Sequence, residues 1–373
     1  HFEFTELSMN ALQYLRNYYG TQAGDPIKYA LYRDLYRQTQ ELWLMENEAE
    51  ECYTELVNSL VDSRAPQQNL ARTAEKHFLR IEPYLQQSDS FRLHLCGRLL
   101  QMMAYNARND YRAMADQCAS ALRFFQAKPY SSNLPLQVFY YQLVLCCVQL
   151  RDFGRGQAII RQHADVYQPG SFNWFKVQEL YFLLALHTQH YDDAYDCCMA
   201  VLDDPQLERQ PAQIQEMWKI FEAYVHLLVR LRRVDRRPEQ PFRLAKFLNE
   251  IPVFSKDKRG MNIPILVAQL LFDLLERRYD ASIDRADAVA KYTSRYIRRD
   301  EHFRSNCFLN MLLQVPQAAF QREAANERAQ RFRSRLGEKP IELANQTHEI
   351  EIIPYEDLWE MALEMLPGKP AGA

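Results

Sequence analysis

One phrase recurs along this chain, and it limits the possible fold more than any other feature. At Ala104 it reads Ala-Tyr-Asn-Ala-Arg-Asn-Asp-Tyr111-Arg-Ala-Met114, and at Val148 it reads Val-Gln-Leu-Arg-Asp-Phe153-Gly-Arg-Gly156. At Leu186 it reads Leu-His-Thr-Gln-His-Tyr191-Asp-Asp-Ala194, and at Leu274 Leu-Leu-Glu-Arg-Arg-Tyr279-Asp-Ala-Ser282. Each copy has an apolar stretch, a short polar turn, an aromatic, and a small or slim residue three positions later. The aromatics at 111, 153, 191 and 279 are separated by 42, 38 and 88 residues. The last gap is about twice 44, which places a degenerate copy at Arg-Arg-Val234-Asp-Arg-Arg-Pro238, after the apolar run Ile220–Leu231.

Self-similarity at such a period marks stacked supersecondary units. The aromatic opens the second helix of a hairpin and plugs it. The small residue (Ala194, Ser282, Gly156) lets the two helices approach closely. The later apolar position (Val201, Ala121, Val289) meets the next unit. One hairpin cannot bury both faces, so neighbours must stack.

These segments resemble tetratricopeptide repeats, whose second half runs Gly-Asp-Tyr-x-x-Ala-x-x-x-Tyr-x-x-Ala-Leu and then Pro. The best match is Tyr191, Ala194, Cys198 in the later aromatic slot, Val201-Leu202 and Pro205; Asn109-Asp110-Tyr111 followed by Ala121-Leu122 is next. The spacing here is longer than the family's, and Asn109, Gln189 and Arg277 stand where the family has the Gly of the turn. The resemblance covers roughly residues 90–290 and implies an all-α superhelical array of antiparallel hairpins. It also implies a concave groove lined by the first helix of each hairpin. Carried over, the groove positions are Leu99, Met103 and Asn106; Tyr141, Leu145 and Gln149; Lys176, Glu179, Leu183 and His187; and Lys219, Glu222, His226 and Arg230. On that reading the chain is a non-enzymatic scaffold that takes a peptide or protein partner.

The composition agrees with an all-α chain. Only 10 of 373 residues are Gly, and β-branched runs are few. The chain divides into N-terminal helices (1–65), the repeats (66–315), a charged helix (316–340) and an acidic tail (341–373) with a short helix near Pro354–Leu366. Residues 26–60 read as two helices. The segment Ala318–Leu336 reads as one helix stopped by Gly337, and Ile341–Pro354 as extended.

Charge is unevenly spread. Residues 1–63 hold 11 acidic and 4 basic side chains, residues 205–340 hold 17 and 26, and residues 341–373 hold 7 and 1. The net charges are therefore -7, +9 and -6. The Arg-rich stretch offers a second reading, a nucleic-acid-associated or regulatory subunit, with Arg232, Arg233, Arg236 and Arg237 as phosphate contacts.

Eight cysteines lie scattered in helical segments, two pairs of them adjacent, with no Cys-x-x-Cys spacing. That pattern points to a reducing, cytoplasmic setting rather than a disulfide framework. No stretch reaches the roughly 18 apolar residues of a membrane span. The amino end has no basic n-region of a signal peptide, and what precedes His1 is left open. His187-x-x-His190, with Asp192, Asp193 and Cys197, is the best metal pattern, but the repeat register makes these ordinary hairpin positions. No nucleophile elbow or Gly-rich phosphate loop is present, so neither catalysis nor a cofactor is expected.

Overall fold

The computed structural model describes residues 4–61, 67–130, 133–236, 242–250, 262–296, 303–339, 341 and 350–368. Among them every regular element is a helix. The chain divides into two compact units, residues 1–146 and 147–373.

The first unit holds α1 (Thr5–Thr21), α2 (Pro26–Val61), α3 (Gln67–Gln87), α4 (Phe91–Ala107), α5 (Tyr111–Gln126) and most of α6 (Asn133–Leu150). Asp25 caps α2, its Oδ1 accepting the N–H groups of Ile27 and Lys28 at 3.1 and 3.0 Å. Where two helices were expected over 26–60, α2 is one continuous helix of 36 residues. The expectation rested on a change of apolar stripe. That change instead marks a change of neighbour: Tyr32 and Tyr36 face α1, while Ala49, Cys52 and Leu56 pack on α3 and α4. The core of this unit joins those three residues to Ala74, Ile81, Leu93, Cys96 and Leu100. Gly97 allows α3 and α4 to close up, since a Cβ there would lie 2.9 Å from Leu85 Cδ2.

The second unit continues with α7 (Phe153–Gln162), α8 (Phe172–His187), α9 (Tyr191–Leu202), α10 (Ala212–Arg230), α11 (Leu244–Glu250), α12 (Asn262–Leu275) and α13 (Tyr279–Tyr296). It ends with α14 (Phe303–Leu312), α15 (Gln314–Gln317), α16 (Arg322–Leu336) and α17 (Tyr355–Met365). Each predicted aromatic anchor is the first residue of its helix: Tyr111 of α5, Phe153 of α7, Tyr191 of α9 and Tyr279 of α13.

The turns before those anchors share one geometry. Two residues before the anchor position, Asn109, Arg151, Gln189, Arg232 and Arg277 all adopt left-handed backbone, with φ of 58, 54, 61, 57 and 56°. The next N–H reaches back five residues in each: Asp110 to Tyr105, Asp152 to Cys147, His190 to Ala185, Arg233 to Leu228 and Arg278 to Asp273, at 2.8–3.0 Å. This is the Schellman closure that satisfies the last carbonyls of a helix. The degenerate copy at Val234 thus has the same turn as the others. A sixth turn of the kind sits at Ala319 (φ 48), where Phe320 N–H meets Val315 O at 3.1 Å. The helix expected over 318–336 therefore starts only at Arg322, because Ala319 and Phe320 are both left-handed.

Neighbouring hairpins of the second unit interlock at these turns. The ring of Phe153 stacks on His190, 3.7 Å between centroids, and Tyr279 stacks on Phe320 at 4.2 Å. In both cases an anchor ring covers the residue that follows the next turn's left-handed position. The first helices α8 and α10 meet through Phe182 and Phe221, stacked at 4.5 Å. Ala194, Ser282 and Gly156 are all buried, as close helix approach requires. The eight cysteines are buried and free.

The acidic tail is a structural element of the second unit. Ile352, Ile353, Tyr355, Leu358 and Trp359 are all buried, and Tyr355 stacks on Phe308 at 4.4 Å. Burying such side chains contributes on the order of 1.5–3 kcal/mol each. Of the extended segment expected over 341–354, residues 342–349 lie outside the described residues.

Candidate functional site

The predicted groove positions differ in how far the chain covers them. Asn106 and Tyr141 belong to the first unit and are half-buried. In the second unit, Lys176 and Glu179 lie on α8 and pair with each other. Lys219 and Glu222 lie on α10, 43 positions later, which is also the spacing from Gln189 to Arg232. These four half-buried residues hold equivalent places in successive hairpins. Arg230 is exposed and lies 3.6 Å from Glu276.

His187 and His226 correct the expectation. His226 is buried and stacks on Phe242, 4.9 Å between centroids. His187 is 3% exposed, and its Nε2 donates to the main-chain oxygen of Glu351 at 2.7 Å. A carbonyl oxygen only accepts, so Nε2 carries the hydrogen. Burial lowers the pKa of His187 to about 4, against the raising effect of that hydrogen bond. Neither ring is available to a partner, because the chain itself covers both. Leu183 is buried as well.

What covers His187 is the segment 350–354 that leads into α17, and Arg304 clasps it. Arg304 Nε and Nη2 donate to Glu351 Oε2 and Oε1, both at 2.8 Å. Nη2 also reaches Glu356 Oε2 at 2.7 Å, and Nη1 donates to the carbonyls of Leu336 and Lys339 at 3.0 and 2.8 Å. These five bonds match the five N–H donors a guanidinium carries. Desolvation alone would lower the pKa of Arg304, but Glu351 and Glu356 outweigh it and hold the cation above its ordinary value. Burial pushes the Glu351 carboxyl up, against the pull of Arg304.

Along α17, side chains from successive turns take up its acidic face. Gln189 donates to Asp357 at 3.1 Å, and Arg233 pairs with both oxygens of Glu364 at 2.6 and 2.7 Å. Asp357 and Glu364 are seven residues apart, two helical turns, and so share a face. Arg333 adds a bond to Glu360 at 2.6 Å. A cleft of about 220 Å³ lies beside this seal, lined by Gln149, Arg151, His187, Arg304, Lys339 and Glu356 among others.

The proposed phosphate contacts fare differently from one another. Arg233 is taken by Glu364, and Arg236 by Asp196 through two bonds at 3.1 and 3.0 Å. Arg232 is exposed in the left-handed turn, and Arg237 lies outside the described residues. Three arginines of the basic stretch, Arg233, Arg304 and Arg333, pair with carboxylates of the acidic tail. The sequence signal for this was present in the opposite net charges of 205–340 and 341–373, but Arg304, Glu351 and Glu356 were not singled out by it.

The His187-x-x-His190 pattern is dispersed. His190 faces Phe153 and Thr188, Asp193 binds Gln157 and Tyr181, and Cys197 contacts Gln178. Among the described residues no cluster of three or more His, Cys, Asp or Glu is arranged to hold a metal ion. Among them, too, no helix is long and apolar enough to cross a membrane.

Compared with family models, curated proteins and solved structures, the chain matches none.

Proposed function

We propose that this chain is a non-enzymatic interaction scaffold, a tetratricopeptide-like superhelical array that holds a protein or peptide partner on its repeated polar face. The observation that carries this reading is the shared left-handed turn at Asn109, Arg151, Gln189, Arg232 and Arg277, at spacings of 42, 38, 43 and 45 residues. A constant turn and a near-constant spacing put equivalent side chains of successive hairpins in register, which is how solenoids build extended binding surfaces. On this reading the half-buried Lys176, Glu179, Lys219 and Glu222 and the exposed Arg230 carry that face on α8 and α10. His187, His226 and Leu183 belong to the interior. Eight buried thiols fit a reducing compartment such as the cytoplasm.

The nucleic-acid reading has weaker support, since Arg233, Arg236, Arg278, Arg285, Arg304 and Arg333 each meet a carboxylate of the chain.

Affinity capture from extracts of the native host tests the scaffold reading. The wild-type chain and the Lys176→Glu/Lys219→Glu variant are compared by mass spectrometry. A partner held by the wild type and lost by the variant supports the reading. An identical capture profile for both rejects this face as the binding surface.

A further inference from the structure

We propose that the α1–α2 hairpin is a homodimer interface, through which two copies of this chain form an antiparallel four-helix bundle. Helix α1 carries two rows of side chains. One row faces α2: Thr5 Oγ1 donates to Glu46 at 3.0 Å, Arg16 lies over the Tyr36 ring, and Tyr19 stacks on Tyr32 at 5.3 Å. The sums of these paired numbers are nearly constant, so the two helices run antiparallel. The second row is Leu7, Ala11, Tyr14 and Tyr18, at spacings of four, three and four residues. That is the heptad spacing of a seam meant for another helix. Yet Leu7 is 65% and Tyr14 70% exposed.

The long helix has a matching row, Ile27, Leu31 and Leu35, with Ile27 81% exposed. At about 100° per residue, the exposed row lies roughly 140° round α1 from the row that faces α2. On α2 the corresponding rotation is roughly 110° in the same sense. Because the helices are antiparallel, equal senses of rotation carry both rows to the same side of the hairpin. The hairpin thus presents a largely apolar face, flanked on α2 by Lys28 and Asp34. Among the described residues, α2 is the one helix with extensive contact to α1, so nothing else in the first unit covers that face.

Area and charge select a second copy as the occupant. Large side chains present about 150–250 Å² when fully exposed, so these six large residues at 38–81% exposure offer roughly 600 Å² per copy. Two copies would bury roughly 1,200 Å², the lower edge of the range for stable specific interfaces, before flanking residues are counted. The only charges on α1 are Glu6 and Arg16. Arg16 lies on the row facing α2, and Glu6 lies about 120° from the exposed seam. On α2 the charges that flank the row are of both signs, Lys28 and Asp34, so the face can meet its own image across a twofold axis without net like-charge repulsion. A hairpin built for a lipid surface would carry a clear basic excess, whereas Arg16, Lys28, Arg33 and Arg37 are accompanied here by Glu6, Asp25, Asp34 and Glu41.

Sedimentation equilibrium of the full chain, with light scattering after gel filtration, tests the proposal. The wild type is expected to dimerise, and Leu7→Lys/Ile27→Lys to weaken association at least about a hundredfold while circular dichroism keeps its helical signal. Ala11→Cys is expected to give a disulfide-linked dimer on mild oxidation, whereas Glu6→Cys is not. The cysteine pair keeps the test valid should the charged variant lose helicity. A wild type that stays monomeric at concentrations on the order of 100 µM overturns the proposal. So does a dimer that both lysines leave intact, or a monomer that binds phosphatidylcholine/phosphatidylglycerol vesicles through this hairpin.

Discussion

The imidazole of His187 donates a 2.7 Å hydrogen bond to the backbone oxygen of Glu351, a residue 164 positions further along the chain. Through this bond the end of α8 is closed by the segment that leads into α17. It also fixes the histidine as a neutral donor, with its pKa lowered to about 4 by burial.

Acid stability follows from that assignment. An unfolded histidine takes up its proton near pH 6.5, while His187 in the folded chain resists until about pH 4. The unfolded state thus binds more protons, and stability falls as pH drops from about 6.5 to about 4, by on the order of 3 kcal/mol from this residue. His187→Gln keeps a donor and removes the titration. Urea unfolding followed across that window should show a shallower acid decline for the variant. A residual slope is expected, because His77, His94 and His163 are also lowered by burial. Identical slopes for both chains would contradict the assignment.

Arg304 should be the costliest single truncation in this region. Arg304→Met leaves Glu351 buried without its cation, which costs about 3–5 kcal/mol. Adding Glu351→Leu removes the stranded carboxylate, and the double variant should recover much of the loss. By contrast, Arg233→Ala breaks an exposed pair and should cost less than about 1 kcal/mol, with the effect vanishing in high salt. Thermal unfolding ranks the three variants.

Gly156 and Gly154 are two residues apart with opposite expectations. A Cβ at Gly156 would sit 2.3 Å from Leu184 Cδ2 and 3.2 Å from Cys147 Cβ, whereas nothing lies within 4 Å of one at Gly154. Gly156→Ala should therefore destabilise by about 1–3 kcal/mol, and Leu184→Ala in the same chain should relieve part of the strain. Gly154→Ala should be neutral or stabilising by up to about 1 kcal/mol. Denaturant midpoints decide between these outcomes.

The left-handed turns can be improved. Arg232 and Arg277 hold φ near 57°, a conformation that costs an L-residue on the order of 1–2 kcal/mol. Arg232→Gly and Arg277→Gly remove that strain but loosen the unfolded chain, leaving a net gain of up to about 1 kcal/mol each. Melting temperatures that fall in both variants would show that the arginine side chains do more than occupy the turn.

The hairpins of the second unit were legible because their signals are local. An aromatic at a helix start and a small residue one turn later are set by the packing of two adjacent helices. The degenerate turn at Arg232 was placed by spacing alone. The turn at Ala319 was missed because Ala-Ala-Phe has no turn chemistry, although it lies 42 residues after Arg277. The two buried histidines were misplaced for a different reason. Their helix positions match the open groove of the family, and what covers His187 arrives from far along the chain. Periodicity within α8 carries no trace of Glu351. The charge imbalance between the Arg-rich middle and the acidic tail was visible, but sequence alone does not say whether opposite charges meet each other or a partner.

The seal formed by 350–366 also sets an order of events. During synthesis the helices between 153 and 230 leave the ribosome well before residue 350 does. Until then His187 and Arg304 lack the partners that Glu351 and Glu356 supply, and the surface that Ile352, Ile353 and Trp359 cover stays open. Docking of α17 is a late, long-range step of the kind that slows folding. A message cut short upstream of Glu351 would yield a product whose interior never closes, and cellular proteases would clear it.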